Sequence, residues 1–106
     1  MSSCVTTHVL DAAAGKPAAD VPVRLEAADG TVLATGATDA DGRAKDLGPA
    51  ELPAGVYRLI FDTGAYHGPE AFYPEIVVCF QIAAPGVHHH VPVLLSPFAY
   101  STYRGS

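Results

Sequence analysis

Histidine is the side chain whose ordinary pKa lies closest to neutrality, so it can take and return a proton at working pH. This chain of 106 residues has five. Three are consecutive, His88-His89-His90, and a fourth, His8, stands between Thr7 and Val9. In an extended strand successive side chains point to opposite faces. His88 and His90 then share a face with Pro92 and Leu94, while His89 points with Val91, Val93 and Leu95 toward an apolar interior. His8 falls on the face of Thr6 and Leu10, opposite Val5, Thr7 and Val9. Two chemistries fit the pattern: acid–base handling of a water molecule, or three nitrogens from His8, His88 and His90 around a zinc ion with one open position. No acidic residue stands beside these histidines in sequence to orient such ligands, so no metal is expected. A strand histidine is also often a satisfied structural residue. The fifth, His67, lies in the Gly/Pro-rich stretch 63–74 and reads as a solvent-facing loop residue.

Other chemistry has little support. Asp39-Ala40-Asp41-Gly42 hints at a calcium loop but lacks the further ligands and the distal Glu, and reads as a turn. There is no GxSxG elbow, phosphate-binding Gly-rich loop or HExxH pair. Cys4 and Cys79 form no CxxC motif and have no basic neighbour to activate them, so they read as buried thiols rather than a disulfide.

The elements that must carry these residues are strands. Residues 4–11, 23–28, 31–38, 56–62 and 75–83 are apolar or β-branched runs, mostly alternating. They are punctuated by Gly15 and Pro17, by the hairpin signal Asp29-Gly30, by Asp41-Gly42 and by Pro53-Ala54-Gly55. Arg43 opens a short extended piece after the Asp41-Gly42 turn. A further strand pair occupies residues 88–106, bent at Ser96-Pro97, with aromatic and β-branched residues running almost to Arg104-Gly105-Ser106. Such a tail is held rather than frayed. Helical periodicity is nearly absent, leaving room for one or two turns around Pro69 to Phe72. Seven to eight short strands with turn residues between them predict an all-β, antiparallel β-sandwich.

Composition bounds the rest. With 49% hydrophobic and 16% charged residues, the chain has enough apolar surface for a core and reads as a single domain, 1–106. The net charge of −5 and the lack of a basic patch argue against nucleic acid. No apolar run approaches the ~20 residues of a membrane span. Met1-Ser2-Ser3-Cys4 has neither the charged start nor the apolar core of a secretion signal, so a cytoplasmic location is expected.

Four segments carry a family resemblance: THVLD at 7–11, TDADGR at 38–43, FYPE at 72–75 and, most specifically, HHHVPVLLSPFAYSTYRGS at 88–106. Together they resemble the 5-hydroxyisourate hydrolases, transthyretin-related enzymes of urate breakdown, in order along essentially the whole chain. Transthyretin shares the LLSP and YST portions and the VLD near the start, but not the YRGS. Family members commonly read His-Tyr-His where this chain has His88-His89-His90, a departure on the inward-facing position.

The resemblance implies a homotetramer of transthyretin-like sandwiches with sites where two dimers meet, the substrate 5-hydroxyisourate and no cofactor. It places catalytic roles on His8, Arg43, His90 and Ser106, and substrate binding on His8, Arg43, Tyr103 and Arg104. Two rivals remain: a non-enzymatic carrier of the transthyretin type, which would hold a hydrophobic ligand, and a prealbumin-like structural module. The ionisable residues speak against the first, and the YRGS end with its histidine pair against the second.

Overall fold

A computed structural model describes residues 3–106. Among these residues there are nine strands, against the seven to eight expected, the stretch read as a loop supplying the two-residue β2: β1 (Val5–Asp11), β2 (Lys16–Pro17), β3 (Pro22–Ala27), β4 (Val32–Ala37), β5 (Arg43–Ala44), β6 (Gly55–Phe61), β7 (Ile76–Ile82), β8 (His89–Leu95) and β9 (Tyr100–Thr102). They form two sheets. One has the order β2-β1-β8-β9, with β5 also pairing β1, and the other the order β4-β3-β6-β7. The inward positions meet between the sheets. Val5, Val9, Val93 and Leu95 come from the first, and Val23, Leu25, Leu59, Phe61 and Ile76 from the second. Apolar burial of this kind contributes about 1.5–3 kcal/mol for each large side chain fully removed from water.

The predicted faces hold. Val5, Thr7 and Val9 are buried, with His8 and Leu10 only partly so, and His89 is 5% exposed in the interior beside the ring of Phe80. Asp29-Gly30 closes the β3–β4 hairpin with Gly30 at φ 90°.

Four further features differ from the sequence reading. Among the described residues all strand pairs are antiparallel but one: β1 and β8 run parallel, Val5 opposite His89 through Asp11 opposite Leu95. The helix starts earlier than Pro69. It is α1 (Thr63–His67), capped by the Asp62 carboxylate accepting from the Ala65 N–H at 3.0 Å, and it runs into a single 3-10 turn, Gly68–Glu70. That cap satisfies a free N–H at the helix start, a signal hidden by the glycines and prolines around it. His67 is accordingly half-buried in this helix, and its Nε2 is sealed from solvent without a hydrogen-bond partner. Of the two free cysteines, Cys4 is buried but Cys79 is exposed, because β7 presents it on the outward face opposite Arg58.

Candidate functional site

The outer face of the first sheet collects the polar residues. Because β8 runs parallel to β1, Thr6 pairs with His90 and His8 with Pro92. The antiparallel β5 meets the other edge of β1 and sets Arg43 opposite His8. The turn before β5 makes this possible. The Asp39 carboxylate accepts from the N–H groups of Arg43 (3.0 Å) and Asp41 (2.9 Å), the first above all holding its pKa below the usual carboxylate value. Gly42 follows at φ 77°, where a Cβ would stand 2.3 Å from the Val9 carbonyl oxygen, so only glycine fits.

The C-terminal stretch closes over β8. Beyond β9, the backbone returns to the sheet in the same register. The Gly105 N–H donates to the His90 carbonyl at 2.8 Å, forming a bridge between the two residues. The held tail expected from its composition is thus pinned at His90.

These elements border an open groove of about 770 Å³, lined among others by Thr6, Arg43, Lys45, His88, His90 and Ser106. His90 is half-buried in its wall. Burial first, then the neighbouring His88, Arg43 and His8, push its pKa below the ordinary histidine value. His90 therefore stays neutral through the neutral range, as a proton acceptor needs. The thiol of Cys4, also on the groove, is pushed up chiefly by burial, which leaves it protonated and a poor nucleophile.

The structure brings Arg43, His90 and Ser106 to one groove. His8 stands at its margin, with its Nε2–H donating to the Asp41 carbonyl at 2.8 Å. In the neutral ring this leaves Nδ1 as the free acceptor. Tyr103 and Arg104 are exposed and border a second, smaller depression of about 240 Å³, which shares His90 with the first. The three-histidine cluster suggested for zinc does not gather. His88 Nε2 and His90 Nδ1 both face the Thr6 hydroxyl while His8 Nε2 is turned to Asp41, and no group of three metal-binding side chains converges among the described residues.

Two groove residues escaped the sequence reading. Lys45 sits two positions after Arg43, the spacing that returns a side chain to the same face of an extended segment. Thr6 shares the parity of His8. Its contact with two histidines more than eighty residues away depends on the parallel register, which no local pattern carries.

The comparisons with known proteins agree with this architecture. A model of the HIUase/Transthyretin family matches residues 5–105. A 5-hydroxyisourate hydrolase of Salmonella typhi is 48% identical over 99% of this chain and 82% of its own length. The structure of Klebsiella pneumoniae 5-hydroxyisourate hydrolase superposes with a TM-score of 0.88 at 40% identity, covering 100% of both chains. Transthyretin from Sparus aurata gives 0.84 at 38% identity, covering 95% of each chain.

Proposed function

The chain belongs to the HIUase/transthyretin family, and we propose that within it the chain is the enzyme, hydrolysing 5-hydroxyisourate to 2-oxo-4-hydroxy-4-carboxy-5-ureidoimidazoline in urate degradation. The observation that carries this reading is the groove at β1, β5 and β8, where a neutral histidine, a guanidinium and a hydroxyl line one open space. A carrier of an apolar ligand has no need of that set.

The chemistry is the opening of a cyclic amide. His90 takes a proton from a water molecule as the water oxygen bonds to the ring carbonyl carbon. Arg43 offers planar N–H donors to the developing oxyanion. The tetrahedral centre then collapses, the C–N bond breaks, and the leaving ring nitrogen takes a proton from the imidazolium, restoring His90. His8, with Nδ1 free, accepts a hydrogen bond that orients substrate or water, and the Ser106 hydroxyl does the same from the other rim. Tyr103 and Arg104 are assigned to substrate binding. No step needs a metal or cofactor.

The full site is proposed to form in a homotetramer at the dimer–dimer interface, with the single domain 1–106 as its unit. Two observations support assembly: the groove is open to solvent on its outer side, and β7 and β9 end their sheets with one edge unpaired in the single chain. A cytoplasmic location is proposed with it; among the described residues no helix is long and apolar enough to cross a membrane.

The test is direct. Freshly generated 5-hydroxyisourate is mixed with the protein and its absorbance followed. The wild type should accelerate the decay far above the spontaneous rate, and His90→Ala should lose roughly 10²–10⁴ in kcat without change of oligomer mass. Wild-type protein that leaves the decay at its spontaneous rate would refute the assignment, and a monomer in solution would refute the interfacial site.

A further inference from the structure

The Thr6 hydroxyl stands 2.8 Å from His88 Nε2 and 2.8 Å from His90 Nδ1. The two imidazoles lie nearly parallel, 25° apart, with centroids 6.3 Å from each other. A hydroxyl has one proton to give, so it can donate to only one of these nitrogens, and the other must carry a hydrogen. The ring nitrogen that is protonated on each histidine is set by the bond its other nitrogen makes. The protonation of the two rings is therefore linked through one oxygen.

We infer that Thr6 is a positioning residue that joins His88 to His90 in a proton relay, with His88 as the store for the proton that His90 removes from water. This deepens the hydrolytic reading of the groove and rests on it. In the resting state His90 Nδ1–H donates to Thr6 Oγ1, and Thr6 Oγ1–H donates to His88 Nε2. That arrangement leaves His90 Nε2 as the basic nitrogen.

When Nε2 accepts the water proton, Nδ1 passes its own proton to Oγ1, and Oγ1 passes its proton to Nε2 of His88. The hydroxyl loses one proton and gains one. His90 becomes neutral again, now carrying its hydrogen on Nε2, and the positive charge moves to His88. The direction is favourable because His88 is exposed whereas His90 is half-buried, and a charge costs less where water can solvate it. The charged and titratable groups around the pair are Arg43 and Lys45 from the β5 segment, His8 from β1, the protonated Cys4 thiol and the chain's Ser106 end at the rim. Arg43 and His8 both disfavour charge on His90. Reversal of the relay returns the proton for the leaving nitrogen.

The test combines nitrogen spectra of the imidazoles with kinetics. In the wild type, ¹H–¹⁵N spectra of the histidine rings should show neutral His90 protonated at Nδ1, its hydrogen bonded to Thr6. Thr6→Val keeps the branched shape and removes the hydroxyl. It should free neutral His90 to populate the Nε2–H tautomer and lower kcat by about tenfold or more, a part of the 10²–10⁴ that acid–base catalysis supplies. Thr6→Ser should restore both. His88→Gln should lower kcat similarly with Thr6 in place, and it decides the matter if Thr6→Val does not fold.

A wild-type His90 protonated only at Nε2 in the resting enzyme, a neutral His90 that stays wholly in the Nδ1–H form in Thr6→Val, or an unchanged kcat in His88→Gln would each overturn the relay. The spectra need no substrate. A wild type that fails to hydrolyse 5-hydroxyisourate yet holds His90 in the Nδ1–H form, released in Thr6→Val, would therefore sink the functional reading and leave the linkage standing.

Discussion

Gly105 lies directly opposite His90, its N–H bonded to the histidine carbonyl, and a Cβ at position 105 would stand 2.6 Å from the imidazole Cδ2. The glycine is required here by proximity: a side chain would occupy the place of the ring. Gly105→Ala should therefore displace either the tail or the His90 ring. Misplacement of a reacting group by about 1 Å can cost 10²-fold, so kcat/KM should fall by about 10–100-fold while the melting temperature stays near wild type. An unchanged kcat/KM would show that neither the tail nor the ring matters to turnover.

Gly42 sets the position of Arg43 from the opposite side. Its left-handed backbone, and the 2.3 Å that would separate a Cβ from the Val9 carbonyl oxygen, leave alanine no unstrained place. Gly42→Ala should cost at least about 2 kcal/mol of stability, read from denaturant unfolding. It should also lower activity through Arg43, because the turn would have to shift. Full stability in this variant would mean that the turn opens freely and does not hold β5 against β1.

The pH dependence follows from His90. Its folded-state pKa lies below the ordinary histidine value of 6.5, through burial first and then the charges of His88, Arg43 and His8. The acid limb of kcat/KM should accordingly fall below pH 6.5, with activity level through neutrality. The same shift acts on stability. Between the two pKa values the unfolded chain binds the proton more strongly, so stability is full above the unfolded pKa and declines as pH drops through that window. Arg43→Met should move the limb of the residual activity upward. A limb above 6.5 in the wild type would exclude His90 as the titrating base.

At the other end of β1, the Tyr66 hydroxyl donates to Asp11 Oδ2 at 2.7 Å. Burial opposes the charge on Asp11, but the Ala14 N–H and the Tyr66 hydroxyl outweigh it and hold the carboxyl below its usual value. Tyr66 itself is pushed up to about 12, by burial and then by Asp11. Tyr66→Phe should remove a hydrogen bond to a buried charge, worth about 1.5–3 kcal/mol. Asp11 contributes stability above its unfolded pKa and loses it as pH falls through the lower folded value, so the variant should show a smaller stability loss on acidification. Urea titrations at pH 7 and pH 3 give both numbers, and equal losses in the two proteins would remove Asp11–Tyr66 as the cause.

Much of this arrangement was legible in the residues themselves. Alternation of apolar side chains assigned Val5, Thr7 and Val9 to the interior and His8 to the outer face, and it turned His89 inward and His90 outward before any strand was paired. Asp29-Gly30 and Asp41-Gly42 marked turns, because glycine alone takes their backbone geometry without strain. The parallel pairing of β1 with β8 was not legible. Register between strands separated by most of the chain is set by the packing of both sheets at once, and local periodicity is the same for a parallel as for an antiparallel neighbour. The helix at Thr63–His67 was misplaced for a related reason, since a five-residue helix is too short to show a period and is fixed by one cap from Asp62. Side-chain type thus determined which residues could do chemistry and which face each would occupy. Only the tertiary structure decided that Thr6 meets both His88 and His90, that Arg43 stands across from His8, and that Gly105 closes over the ring.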